Sequence, residues 1–460
     1  LDVIIGKTVL IFMLRKNTEV LMGLLIRGAR VIYPGCCFDT VSDILCEYGM
    51  ISRIGNFGGV PAGHDILDAN GLVAAPGLVD MHCHLRDPGQ EYKEDILTGT
   101  MSAAAGGITS VACMPNTEPV CDSAEIVRYM IEKAEKQSSI RVFPVGAVTV
   151  GLRGERPAPL GELRAAGAVA FSDDGRPVTD DETMLDAMLR AAELGTVVIS
   201  HCEDLAFSGG KAIPAASLGL ENCGAVIETA EDSMVARDIL LSIRTGAPVH
   251  IAHVSTRNSI ELIRYAKAMG APVTCETCPH YFFLTSDIIP EKGALVKMNP
   301  PLRSESDLRA VIEGIVDGTI DAIATDHAPH SAEEKALPFD EAPNGVIGFE
   351  TLLAVSLTAL YHSGLMRLSD LLRLLTSSPA GILRIDAGHI RAGRRADIVL
   401  FSPDEEWTAD PAGFLSKGKN SPFGGMKLKG KVKYTVSSGK IVYASGPYQK
   451  AAGRRNEHVY

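Results

Sequence analysis

Residues 79–87 read VDMHCHLRD. Two histidines stand two apart within an apolar run, and an arginine follows two residues after the second. Side chains alternate between the faces of a β-strand, so His82 and His84 point one way while Met81, Cys83 and Leu85 point the other. One strand can thereby offer two imidazoles to one metal ion. The competing reading is a pair of ordinary polar residues at a strand end, and the surrounding chain has to decide between them.

The same kind of segment recurs. LVDMHCH (78–84), ITSVACMP (108–115), RVFPVGAV (141–148), AVAFSDD (168–174), VVISHCE (197–203), VHIAHVS (249–255), VTCETCP (273–279) and AIATDHAP (322–329) are short apolar strands. Between them lie stretches such as DSAEIVRYMIEKAEKQ, DETMLDAMLRAAELG and TRNSIELIRYAKAMG, whose apolar positions recur at helical spacing. Eight strands alternating with helices predict an α/β chain folded as a (β/α)8 TIM-like barrel over residues 76–389. A doubly wound open sheet is the alternative, but no glycine-rich dinucleotide fingerprint follows the first strand. Residues 22–75 and 390–445 read as strands and turns, and neither piece makes a comfortable domain alone. They predict one composite β-domain built from both chain ends. Residues 1–21 lack an initiating methionine, and Lys7, Arg15 and Lys16 interrupt their apolar pieces, so they read as an extension outside the native fold. Met22 reads as a natural start, and 446–460 as a tail.

The 460 residues are 46% hydrophobic and carry a formal charge of −12. With no lysine–arginine block, this argues against nucleic-acid binding and fits a soluble cytoplasmic protein. The N-terminal apolar pieces are too short and broken to span a bilayer or to form a secretory leader. Ten scattered cysteines read as buried reduced thiols. The CETC stretch (275–278) has metal-like spacing, but no second pair completes a zinc set, so it reads as structural.

The polar residues of the strands gather at their C-terminal ends: His82, His84, Asn116, Asp174, His201, His253 and Asp326. In a barrel these ends share one mouth. Four histidines and two aspartates there are hard to explain as core, because each would need its own buried partner. Imidazole and carboxylate without thiolate suit zinc, with manganese or cobalt as alternatives, and six ligands allow one or two ions. A metal lowers the pKa of water toward neutrality. Asp326 is placed to take that proton and return it to a leaving nitrogen. The chemistry expected is metal-assisted hydrolysis of an amide-like bond, or its reversal.

GLVDMHCHLRDPGQEYKEDI resembles the metal-binding opening of the amidohydrolase superfamily and, more narrowly, that of the long, bacterial-type dihydroorotases. So do AAAGGITSVACMPNTEPV, AFSDDG, SHCED, IAHVST, TCETCPHYFFLT, KMNPPLR and ATDHAPH, an ordered set running from about Met22 to about residue 445. The resemblance implies a barrel with a small β-sandwich. It also implies reversible cyclisation of N-carbamoyl-L-aspartate to L-dihydroorotate, in the de novo pathway to UMP. His82, His84 and Asp326 are then expected to hold one zinc ion, with Asp326 as general acid and base. His201 and His253 hold a second, and a bridging aspartate joins the two.

Strand alternation alone does not choose between Asp173 and Asp174, while family spacing favours Asp174. Arg86 is expected to bind the substrate carboxylate through its planar fork, against the bland alternative of a surface ion pair with Asp87 or Glu91. His84, Asn116, Asn299, His330, Asn344 and Gly345 complete the expected substrate contacts, and the segment through PLRSESD is expected to act as a lid. His327 alternates away from Asp326, and His280 reads as structural. Relatives that bridge two metals with a carboxylated lysine carry it on the fourth strand. GAVAFSDDG has none, which places this chain with the aspartate-using branch.

Two other readings compete. One is a different cyclic amidase, such as a hydantoinase, dihydropyrimidinase or allantoinase. The other is a catalytically weak homologue serving as a partner of aspartate transcarbamoylase. Arg86, Asn116 and the missing lysine oppose the first, and the complete ligand set opposes the second. A homodimer, and an active enzyme docked on that transcarbamoylase, are the partner arrangements the resemblance leaves open.

Overall fold

The computed structural model describes residues 23–34, 38–59, 63–209 and 224–446, with backbone alone for 224–227. The expected extension at 1–21, and all but the first residue of the expected tail at 446–460, lie outside the described residues.

The central strands are β6 (Leu78–Cys83), β7 (Ile108–Cys113), β8 (Arg141–Pro144), β9 (Val198–Ser200), β10 (Val249–Ile251), β11 (Val273–Thr277) and β12 (Ala322–Ile323). All neighbouring pairs are parallel. They form two sheets, β6-β7-β8 and β9-β10-β11-β12. The expected fourth strand is reduced to single bridges: Phe171 pairs with Gly146 on one side and Val198 on the other, joining the two sheets. His327 pairs with Cys83 and closes the ring. The result is the predicted TIM-like barrel rather than an open sheet.

Intervening helices begin where short polar side chains accept from the first turn. Ser123 caps Ala124–Gln137, Asp180 caps Asp181–Glu193, Thr256 caps Arg257–Ala268 and Ser304 caps Glu305–Asp317. Within the ring, Met81, Ala112, Val145, Ile199, Ala252 and Ala322 pack together, drawn from successive strand segments. Small residues among them suit the narrow interior, which side chains fill completely.

Strands from both chain ends build the β-sandwich: β1 (Leu24–Tyr33), β2 (Phe38–Glu47), β3 (Met50–Gly55), β4 (Asp65–Asp68), β5 (Val73–Pro76), β13 (Ile398–Thr408), β14 (Lys427–Ser437) and β15 (Lys440–Ala444). Their order is β15-β14-β13-β5-β1-β2-β3, with β4 added on β1. The antiparallel β5–β13 pairing joins N-terminal to C-terminal strands. Leu24, Ile26, Ile44, Ala74, Ile398, Leu400 and Val436 form its own apolar cluster. Gly77 carries the chain from β5 into the barrel, and a Cβ there would sit 2.2 Å from the Thr109 hydroxyl oxygen. No helix among the described residues is long and apolar enough to cross a membrane.

Candidate active site

The pairing register of β6 shifts between Asp80 and Cys83. Such a bulge re-aims the side chains around it. Simple alternation groups Met81 with Cys83 and Leu85, but Met81 joins the cluster inside the ring, whereas Cys83 and Leu85 join the outer one. His82 and His84 nevertheless converge, with ring centroids 5.7 Å apart. Strand ends from across the barrel meet them. His84 Nε2 lies 3.0 Å from Asp326 Oδ1, and His82 Nε2 lies 3.3 Å from Asp174 Oδ1. His253 Nε2 is 3.8 Å from the same Asp174 oxygen.

Among the described residues, two groups of ligand atoms each fall within 4.8 Å of one another: His82, His84 and Asp326, and His82, Asp174 and His253. The first is the trio expected for one ion. The second holds the expected bridging aspartate and His253. His201 stands beside them, its Nδ1 3.5 Å from Asp174 and 2.8 Å from His253 Nε2, but it joins neither group.

These residues fit a cation. Nε2 of His82 is buried and makes no hydrogen bond, while its Nδ1 is held 2.7 Å from Glu276. A histidine fixed by a carboxylate on one nitrogen presents the other to a metal. Nδ1 of His253 is likewise buried without a hydrogen bond.

Asp173 and Asp174 separate cleanly. Asp173 accepts from the backbone amides of Val148 and Thr149 and from the Thr149 hydroxyl, so it is consumed in pinning the preceding loop. Asp174 faces the histidines. Burial works against its charge, yet His82, His201 and His253 together hold its carboxyl well below the usual range. Burial likewise opposes charge on Asp326, but His84, His82 and His253 bring it down to about 2. Burial disfavours a charged His201, and Asp174 and Glu203 outweigh this, raising it to about 9.

Two carboxylates that contact the ligand histidines escaped the sequence reading. Glu276 sits on β11 behind His82, and Glu203 lies 3.3 Å from His201 Nε2 while accepting from Asn299 Nδ2 at 2.9 Å. Each left a trace: Glu276 is a charge inside an apolar strand, and Glu203 follows His201 by two.

A cavity of about 170 Å³ opens at this mouth, lined by His84, Arg86, Asn116, Asp174, His201, Asn299, Asp326, Asn344 and Gly345, with Gly175 and Ala328. His82 and His253 lie deeper. His330 does not line it but stands behind Arg86, 3.4 Å from a guanidinium nitrogen and 2.7 Å from the Asn344 carbonyl. Asn116 is committed to the ligands, taking His84 Nδ1 at 2.8 Å and donating to Asp174 at 3.3 Å.

Arg86 is 9% exposed. Its Nε donates to the Pro329 carbonyl, and it makes no ion pair among the described residues. Asp87, a partner in the bland alternative, is taken by Lys133 at 2.7 Å. A buried guanidinium without a counter-ion is costly unless a ligand supplies one.

Arg86, His253 and Asp326 all have left-handed backbones, with φ of 58°, 36° and 46°. Such strain in non-glycine residues costs about 1–3 kcal/mol each and concentrates at functional sites. The segment expected as a lid is anchored at its start, while Ser304, Glu305 and Ser306 are exposed. Leu302 and Arg303 are buried, and Arg303 binds Ser255 Oγ and Glu231. His327 stacks on Phe349 and His280 is buried, and neither belongs to the ligand groups.

Residues 71–259 match the dihydro-orotase-like family, and residues 354–443 the amidohydrolase family. The dihydroorotase of Geobacter metallireducens is 50% identical over 426 residues, covering 92% of this chain and 100% of that protein. That of Acetivibrio thermocellus is 49% identical, covering 91% of this chain and 98% of that protein. Among solved structures, an L-hydantoinase from Arthrobacter aurescens superposes with a TM-score of 0.83 at 26% identity, over 93% of this chain and 98% of its own. A dihydropyrimidinase from Brevibacillus agri gives 0.80 at 24% identity over 94% of this chain and 97% of its own, a likeness of fold alone.

Proposed function

The chain belongs to the dihydroorotase family, and we infer that it interconverts N-carbamoyl-L-aspartate and L-dihydroorotate, a cyclisation in pyrimidine biosynthesis. The observation that carries the substrate reading is Arg86. An unpaired, buried guanidinium lines the same small cavity as His84, Asp174 and Asp326. Dihydroorotate differs from a plain dihydropyrimidine by one carboxylate, which is the group such a fork binds in bidentate fashion.

We assign His82, His84 and Asp326 to one zinc ion, and Asp174, His201 and His253 to a second, with Asp174 shared. When bound, zinc supplies Lewis acidity that polarises the scissile carbonyl and brings water's pKa toward neutrality. Asp326 is the proton carrier. Its carboxylate is ionised in this setting, receives the proton of the attacking water and delivers it to the ring nitrogen as the amide opens. In the cyclising direction it removes the proton from the carbamoyl nitrogen. Asn116 keeps His84 and Asp174 in register through its two amide atoms. Asn299 and Glu203 steady His201.

Neutral His330 holds the Asn344 carbonyl, setting the backbone that meets the ring's polar edge. Burial and the charges of Arg86 and Lys93 push its pKa to about 3. The deciding experiment follows ring opening of L-dihydroorotate and dihydrouracil by zinc-loaded protein. A strong preference for dihydroorotate is expected, and a preference for dihydrouracil overturns the substrate assignment.

A further inference from the structure

A second cavity of about 250 Å³ lies between the barrel helices and the β-sandwich, larger than the candidate active site and sharing no lining residue with it. Leu353 and Ala354 line it from the barrel side, and Trp407, Phe414 and Tyr443 from the sandwich side. Trp407 is fixed by its Nε1–H bond to the Gly430 carbonyl, and its ring meets Phe414 edge-on at 6.4 Å.

Into this aromatic setting the barrel brings one carboxylate, Glu350. Its Oε1 accepts from Ser102 Oγ at 2.8 Å and from the amides of Leu415 and Ser416 at 2.7 and 3.3 Å. Among the described residues nothing donates to Oε2, and no lysine, arginine or histidine forms an ion pair with Glu350. Lys431 also lines the cavity, but its ammonium lies 5.7 Å from the Trp407 ring centroid rather than on the carboxylate.

We propose that this cavity is a binding site for a small organic cation: a protonated amine on a compact apolar body, its ammonium against Glu350 and its body against Trp407, Phe414 and Tyr443. A largely buried carboxylate with no ion pair among the described residues is the group a cation satisfies best. The aromatic side chains of Trp407, Phe414 and Tyr443 give the apolar body a surface to pack on. An anion meets Glu350 and Asp410, and a neutral apolar molecule leaves Oε2 unsatisfied. Burial pushes the Glu350 carboxyl up to about 7, against the hydrogen bonds that lower it. The ionisable groups around it are Tyr443, Asp410, Lys431 and Lys419. Binding of an ammonium therefore releases a proton near neutrality, and affinity rises about tenfold between pH 6 and pH 8.

Trp407 is the chain's only tryptophan, so its emission reports this site whatever happens at the catalytic mouth. Benzylamine is titrated into the zinc-loaded full chain, with benzyl alcohol and benzoate as controls. A saturable change in Trp407 emission is expected for benzylamine alone. Glu350→Gln keeps an oxygen for the three donors, and is expected to weaken binding at least tenfold while leaving turnover of L-dihydroorotate and Tm unchanged. Ala354→Leu fills the cavity from its helical wall, away from the carboxylate, and abolishes the response even if Glu350→Gln fails to fold. No saturable change, an equal response to benzyl alcohol, or undiminished binding by a folded Glu350→Gln protein overturns the proposal.

Discussion

Replacing Arg86 with methionine separates recognition from folding. Methionine keeps the apolar stem and removes the guanidinium. In the free protein that guanidinium is buried, touches the Pro329 carbonyl and His330, and has no ion pair among the described residues. Its removal takes away a buried charge that has no ion pair among the described residues, along with the hydrogen bond to Pro329 at 3.3 Å and the contact with His330 at 3.4 Å. These offset, so stability is expected to change by less than about 1 kcal/mol. In the proposed complex the same group meets the substrate carboxylate away from water. Deleting one partner of a buried charge pair costs about 2–5 kcal/mol. At about 1.4 kcal/mol per decade, kcat/KM for L-dihydroorotate should fall about 30- to 4,000-fold. Turnover of dihydrouracil, which has no carboxylate, should change less than threefold. The assay is steady-state ring opening of both substrates, alongside urea unfolding of both proteins. A loss shared equally by the two substrates would refute the recognition role. So would destabilisation above about 3 kcal/mol, since it would show that the guanidinium carries structural load.

Three further predictions follow from the geometry. Glu276→Gln preserves shape behind His82 but removes the charge that fixes its Nδ1–H; zinc affinity, measured by chelator competition, should drop about 10- to 100-fold, and unchanged affinity would place the ion elsewhere. Gly345→Ala forces a Cβ to 2.7 Å from Ala328 Cβ at a φ of +132°; thermal unfolding should show a loss of at least about 2 kcal/mol, and a wild-type Tm would contradict the close approach. Lys335 donates to the carbonyls of Ala294, Lys297 and Pro343, and burial, then Lys297 and Arg86, lowers its pKa from 10.5 to about 7. Between pH 7 and 10.5 the unfolded chain then holds more protons at this site, so the Lys335 contribution makes stability rise with pH, by at most about 1.4 kcal/mol per unit. Lys335→Met should flatten that rise in urea melts at pH 7 and 9, and an unchanged slope would show that Lys335 keeps its ordinary pKa in the fold.

Local pattern made the barrel and most of its mouth legible. Apolar runs alternating with helical spacing, and polar residues confined to the runs' ends, are properties of neighbouring residues, so they survive in a sequence read without coordinates. His82, His84, His201, His253 and Asp326 stand at those ends, and Arg86 two residues beyond His84. What escaped depends on contacts between distant segments. Asp173 and Asp174 are equivalent by composition, and only the Val148 and Thr149 amides consuming one leave the other for the histidines. The 194 residues separating Glu276 from His82 are closed by the ring of strands, which no local window spans. The β6 bulge, the buried Arg303 that anchors the start of the expected lid and the position of His330 behind Arg86 arise from the same cause. Sequence determined which chemical groups each strand end carries, because alternation and helical period are short-range. The tertiary structure decided which nitrogen faces which carboxylate, because that is settled by burial and by hydrogen bonds closed across the barrel.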